Sequence, residues 1–190
     1  MTELFSLAGK VALVTGASSG IGFATTLHFA TRGYKVIGTS RSVDKLAGLR
    51  DEALRRHVDV EFVEMDINAP NTIEGTVPRL LSSHGNITVL VNNAGYGLWG
   101  PFVSLSLDEL RAQFETNFFA PARLMQAVLP SMTKEGHGTI VNVSSVLGRI
   151  SIPFSGAYVA SKHALEGVSE SMRTELWPMG IRIVVVEPGY

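Results

Sequence analysis

Apolar and polar positions follow two alternating rhythms along this chain. Short runs rich in β-branched residues fall at residues 11–14, 35–39, 60–65, 88–91, 139–143 and 182–186, and in the longer segments between them apolar positions return every three to four residues. Strand-length runs separated by helical-period segments are the pattern of βαβ units, whose parallel strands lie between two layers of helix. The expected fold class is α/β: a doubly wound parallel sheet of six strands with helices on both faces. Residues 20–32 read as a helix stopped by Gly33, a residue that tolerates the positive φ common after a helix C-terminus. Ser106-Leu107-Asp108-Glu109 is a capping box, which should open the helix carrying Leu110, Phe114 and Asn117. Long helices are expected near 106–129 and 157–176. No repeat, low-complexity tract or linker interrupts the pattern, so residues 1–190 read as one domain.

Composition narrows the chemistry. With 190 residues the chain buries a sizeable single core, and with no cysteine it has neither disulfides nor thiolate chemistry. The five histidines, His28, His57, His84, His137 and His163, form no pair at metal-ligand spacing, and no metal is expected. A net charge of -1 with interspersed signs argues against nucleic-acid partners and a polybasic membrane patch. No segment reaches the length of a membrane span, and Met1-Thr2-Glu3-Leu4 lacks the basic start of a signal peptide. A cytoplasmic protein is the expectation.

Candidate chemistry begins where the first strand runs into Thr15-Gly16-Ala17-Ser18-Ser19-Gly20-Ile21-Gly22. A strand, a glycine turn and a helix start let backbone approach a pyrophosphate, toward which free helix N–H groups and the helix dipole both point. Thr15, Gly16, Ser18, Ser19, Gly20, Ile21 and Gly22 are therefore candidate dinucleotide contacts. The same residues contain a Gly-x-Ser-x-Gly match to a hydrolase elbow, but no upstream loop supplies a second oxyanion donor and no histidine stands out as base. Where an acidic residue would bond a ribose 2′-hydroxyl, the chain has Ser40 followed by Arg41. A guanidinium holds a 2′-phosphate with paired bonds, which favours NADP (NADPH) over NAD. Asp66 and Ile67, after the third strand, are candidates for the adenine, with helix capping as the alternative use of Asp66.

Tyr158 and Lys162 stand four residues apart on the second long helix, so phenol and ammonium share one face and the positive charge favours the phenolate. Ser145 lies thirteen residues before Tyr158 at the end of an apolar run. Tyr96, Leu98, Trp99, Pro101, Ile152, Pro153 and Phe154 form an apolar set suited to a hydrophobic small-molecule alcohol or carbonyl, or simply to the core.

In these motifs the chain resembles the short-chain dehydrogenase/reductase family from Lys10 to Tyr190. The family's glycine motif matches Thr15, Gly16, Gly20 and Gly22. Its turn after the fourth strand matches Asn92-Asn93-Ala94-Gly95, which brings Asn93, Ala94 and Gly95 among the expected cofactor contacts. Its catalytic set matches Asn117, Ser145, Tyr158 and Lys162, and Pro188 and Gly189 match the segment that closes around the nicotinamide. The resemblance implies a Rossmann sheet of order 3-2-1-4-5-6, NADPH-dependent carbonyl reduction and its reverse, and homodimers or homotetramers paired through the two long helices. Tyr158 would pass a proton to the carbonyl oxygen, Ser145 would orient it, and Lys162 would hold the ribose. Asn117 would hold a water, with Pro121 leaving the Asn117 carbonyl without an i+4 partner or else only kinking the helix. Family members usually continue past Pro-Gly with a substrate-covering loop, a helix and a seventh strand, so the chain reads as the N-terminal part of a longer enzyme or a shortened relative. Two other functions compete with an oxidoreductase: a non-catalytic NADP-binding regulatory module, and a scaffold assembled through the long helices.

Overall fold

The computed structural model describes residues 9–189; Met1-Thr2-Glu3-Leu4 and Tyr190, read above, lie outside them. The described strands are β1 (Val11–Thr15), β2 (Lys35–Ser40), β3 (Val60–Glu64), β4 (Val89–Asn92), β5 (Gly138–Val143) and β6 (Ile181–Val186). The helices are α1 (Gly20–Thr31), α2 (Ala47–Arg55), α3 (Pro70–His84), α4 (Leu107–Phe114), α5 (Ala120–Glu135) and α6 (Gly156–Leu176). The strands form one parallel sheet in the order β3-β2-β1-β4-β5-β6. It is a doubly wound Rossmann sheet, as the strand runs and the resemblance implied.

The period of two along β1 divides the core. Val11 and Leu13 join the cluster formed with α3, α5 and α6, whereas Ala12 and Val14 join the cluster formed with α1 and α2. All five residues of β1 are buried, which is why its sequence shows no polar alternation. The direction in which successive strands are added reverses between β1 and β4, because β2 and β3 lie to one side and β5 and β6 to the other. The connections leaving β1 and β4 therefore diverge and leave a crevice beyond the carboxyl ends of the strands.

Two local features go beyond the periodic pattern. The capping box forms in full: Ser106 Oγ accepts from the Glu109 N–H, and a Glu109 carboxylate oxygen accepts from the Ser106 N–H at 2.8 Å. The helix it opens does not run on as regular α-helix. Glu115–Phe119 forms a π-helical turn before α5 begins, with Pro121 in the first turn of α5. Proline has no N–H to give the Asn117 carbonyl, so the regular i to i+4 ladder fails here, and the chain takes up a wider turn.

Candidate functional site

The glycine turn is held from outside by a hydroxyl and an amide. Thr15 Oγ1 accepts from the N–H groups of Asn93 and Ala94 at 3.0 and 3.1 Å, and Asn93 Nδ2 donates to the Thr15 carbonyl at 2.9 Å. Turn and glycine loop are thereby locked edge to edge. Gly16 takes φ +66°, and a Cβ there would stand 2.9 Å from Ala94 Cα. A Cβ on Gly22 would lie 2.3 Å from the Gly16 carbonyl oxygen, so the start of α1 can pack against the loop only with glycine at that position. Ser19, the N-cap of α1, makes no side-chain cap, and the first turn carries no acidic residue. The uncapped amides suit an anion.

At the adjoining end, Ser40 is buried at the tip of β2, and Arg41 and Lys45 are exposed beside it on the wall of the same cleft. Asp66 Oδ1 accepts from the Asn68 N–H at 3.0 Å and thereby closes a turn after β3. Ile67, not Asp66, reaches the cleft.

The opposite end gathers the reactive side chains. Ser145 caps the short 3-10 turn Val146–Gly148, its oxygen accepting from the Leu147 N–H at 3.1 Å, which leaves the hydroxyl hydrogen available. Tyr158 and Lys162 follow one another by a turn on α6. Lys162 is 5% exposed; Nζ donates to the Val143 carbonyl at 2.7 Å and stands 5.7 Å from the centroid of the Tyr158 ring. Burial brings its ammonium down from an ordinary 10.5 to about 8, and the nearby Glu166 carboxylate partly opposes that shift. Trp99 lies against Tyr158 with ring centroids 5.8 Å apart. Pro188 and Gly189 line the same end, and the Pro188 carbonyl accepts from the Val146 N–H at 3.0 Å.

Asn117 is placed differently from these. Its amide donates to the Tyr96 carbonyl at 2.9 Å and to Ser161 Oγ at 3.1 Å, and its oxygen accepts from the Tyr96 N–H at 3.2 Å. The side chain braces the Asn92-Asn93-Ala94-Gly95 turn against α6, and its carbonyl sits in the π-helical turn.

One cleft of about 920 Å³ joins the two ends. Of the residues marked by sequence, Gly16, Ser18, Ser19, Ile21, Ser40, Arg41, Ile67, Asn93, Ala94, Gly95, Ser145, Tyr158, Lys162, Pro188 and Gly189 line it. Thr15, Gly20, Gly22, Asp66 and Asn117 do not; they lie behind or beside the wall. Of the apolar set, Tyr96 and Trp99 line the cleft, while Ile152 and Phe154 are exposed outside it. Sequence reading missed Lys45, Asn68, Thr116 and Ser144. Lys45 had a signal, a second cation four residues after Arg41, and Ser144 adjoins Ser145; Thr116, in the π-helical turn, and Asn68, after β3, are brought in only by tertiary packing. Among the described residues no cluster of three or more acidic or histidine side chains could hold a metal, and no helix is long and apolar enough to cross a membrane.

The chain matches the family model described as short chain dehydrogenase over residues 10–190. It is 36% identical over 180 residues to the 3-ketodihydrosphingosine reductase of Bacteroides thetaiotaomicron, covering 95% of this chain and 63% of that protein. A metagenomic short-chain oxidoreductase solved in complex with NADP superposes with a TM-score of 0.93 at 36% identity, covering 98% of this chain and 85% of the other. A xylitol dehydrogenase solved with NAD+ superposes with a TM-score of 0.91 at 30% identity, covering 98% and 72%. The chain spans 60 to 64% of the length of three further curated relatives that it matches at 36 to 40% identity.

Proposed function

The chain belongs to the short-chain dehydrogenase family, and from that premise we propose that it is an NADPH-preferring oxidoreductase acting on hydrophobic ketones, aldehydes or the corresponding alcohols. The observation that carries the reading is the meeting of Ser145, Tyr158 and Lys162 in the cleft that the glycine turn and Arg41 also line. The residues present fit a dinucleotide: positions 16 and 22 have no room for a side chain, and the α1 amides are uncapped beside Ser18 and Ser19. Ser40, Arg41 and Lys45 suit a ribose 2′-phosphate, and the NADP-bound neighbour supports that preference. A relative that takes NAD+ marks the alternative, which a carboxylate at position 40 would favour.

Bound NADPH would supply hydride. The protein's own part is proton delivery and orientation. Tyr158 stands at the apolar end, where its phenol donates a proton to the carbonyl oxygen, and Ser145 donates a second hydrogen bond to that oxygen and fixes its direction. Lys162 supplies positive charge to the phenolate left behind and reaches toward the ribose. Trp99 and Tyr96 present an apolar wall on the substrate side, and a relative named 3-ketodihydrosphingosine reductase supports a keto substrate. The same proposal includes a cytoplasmic setting and a homodimer or homotetramer paired through α4, α5 and α6.

The test is Tyr158→Phe. NADPH affinity, read by fluorescence transfer from tryptophan, should stay within a few-fold while carbonyl reduction falls to background. Equal loss of binding and turnover would remove the assigned role. Binding without turnover in the unaltered chain would favour the regulatory-module reading.

A further inference from the structure

Glu166 is a buried carboxylate that the reaction as read above leaves unused. It stands four residues beyond Lys162 on α6, one further turn along the face that already carries Tyr158 and Lys162, and it is 3% exposed. Arg149 Nη2 lies 3.1 Å from Glu166 Oε2, an ion-pair distance without hydrogen-bond alignment, so neither carboxylate oxygen has a hydrogen-bond donor. A charge so placed is costly unless it serves another charge.

Arg149 is not a loosely held partner. Nη1 bonds Glu170 on α6 at 2.7 Å, and Nε bonds Glu187 just before the Pro188 and Gly189 segment at 3.0 Å. The guanidinium thus joins the Ser145 turn, the catalytic helix and the end of β6. Gly148 completes the enclosure: a Cβ there would fall 2.6 Å from Ser144 Oγ and 3.1 Å from Glu166 Oε1, so the carboxylate packs directly against the backbone after Ser145.

We propose that Glu166, held by Arg149, is a positioning residue of the reaction centre whose buried carboxylate keeps the Lys162 ammonium charged and in place beside Tyr158. The inference rests on the reading of Tyr158 and Lys162 as the proton-donating pair. The groups around Lys162 are the Tyr158 ring, Glu166 one helical turn away on α6, the Val143 carbonyl of β5 and the Asn117 amide, whose oxygen borders Gly95 as Lys162 Nζ does; Arg149 lies beyond Glu166, 3.1 Å from its carboxylate. Glu166 is the carboxylate among them. Its negative charge raises the ammonium against the downward pull of burial.

The test reads Lys162 directly in the ligand-free chain, by NMR of labelled lysine side chains, with the Lys162 resonance identified by its absence in Lys162→Arg. The unaltered chain should titrate near pH 8. Glu166→Gln, which keeps size and shape, should lower that midpoint by about one pH unit or more. Glu166→Asp, which keeps the charge, should hold the midpoint nearer to that of the unaltered chain. Glu170→Gln, on the exposed side of the clamp, should leave it in place. A purely structural Glu166 would lower the melting temperature without moving the titration, and an unmoved midpoint in folded Glu166→Gln overturns the proposal. If Glu166→Gln does not fold, Glu166→Met, of similar length and without charge, is read by the same midpoint, and an unmoved midpoint there overturns the proposal. Because no ligand is used, failure of the chain to bind NADPH would count against the proposed function and not against this result.

Discussion

At the scale of single residues, charge and burial set the expectations. Lys162 titrates in the folded chain at about 8 against 10.5 for an ordinary lysine, so the unfolded chain binds the extra proton between those values. Stability should therefore rise with pH from about 8 toward 10.5 as this penalty is relieved, while turnover that needs the ammonium should fall above about 8. Lys162→Met should raise the melting temperature at neutral pH and abolish carbonyl reduction, a separation checked by calorimetry and assay on the same preparation. A drop in melting temperature would show that the bond to the Val143 carbonyl outweighs desolvation. At the other end of the cleft, Ser40→Asp combined with Arg41→Ala should shift the NADPH/NADH affinity ratio by more than about tenfold toward NADH, because a carboxylate replaces the phosphate partner. An unchanged ratio in titration calorimetry would mean that Arg41 is only a solvated charge.

Elements are fixed by their ends and by breaks in their ladders. The Ser106 and Glu109 box starts α4, which runs through the π-helical turn into α5, so one cap supports the segment that carries Asn117. Ser106→Ala should cost about 1 kcal/mol in denaturant unfolding, with little change in NADPH affinity, since the cap lies far along the helix from the cleft. A coupled loss of binding would place Asn117 and its brace on Tyr96 under the control of the cap. The π-helical turn itself is the local answer to Pro121, and it leaves the Asn117 amide directed at the Tyr96 backbone and Ser161.

For the molecule as a whole, the two layers of helix do not cover the sheet evenly. Ile181 and Ile183 of β6 are buried on the side of α6, while Arg182, Val184 and Val186 are exposed on the opposite face, where α1 and α2 do not reach. β6 is also the outer strand of the described sheet. An apolar face on an edge strand invites association. The 190-residue chain should therefore self-associate in sedimentation experiments at micromolar concentration, and Val184→Lys with Val186→Lys should reduce that association without lowering secondary structure. A monodisperse unaltered chain would show that this face is tolerated by solvent.

The strand runs, the glycine turn and the four-residue spacing of Tyr158 and Lys162 were legible in the sequence, because period and short-range spacing translate directly into local geometry. Even the break at Pro121 could be read, since a missing N–H is a property of one residue. What needed the tertiary structure was the meaning of residues whose partners are distant in the chain. Gly22 must be glycine because the Gly16 carbonyl and Asn93, 71 positions on, occupy the space beside it. Thr15 and Asn93, which share the motif spacing of cofactor contacts, turn out to hold two loops together. Glu166 looks like one more acidic position on a helix until folding removes it from water and leaves Lys162 and Arg149 as the charges it acts upon. Burial and long-range pairing arise only when segments far apart in sequence meet, so no local pattern could carry them.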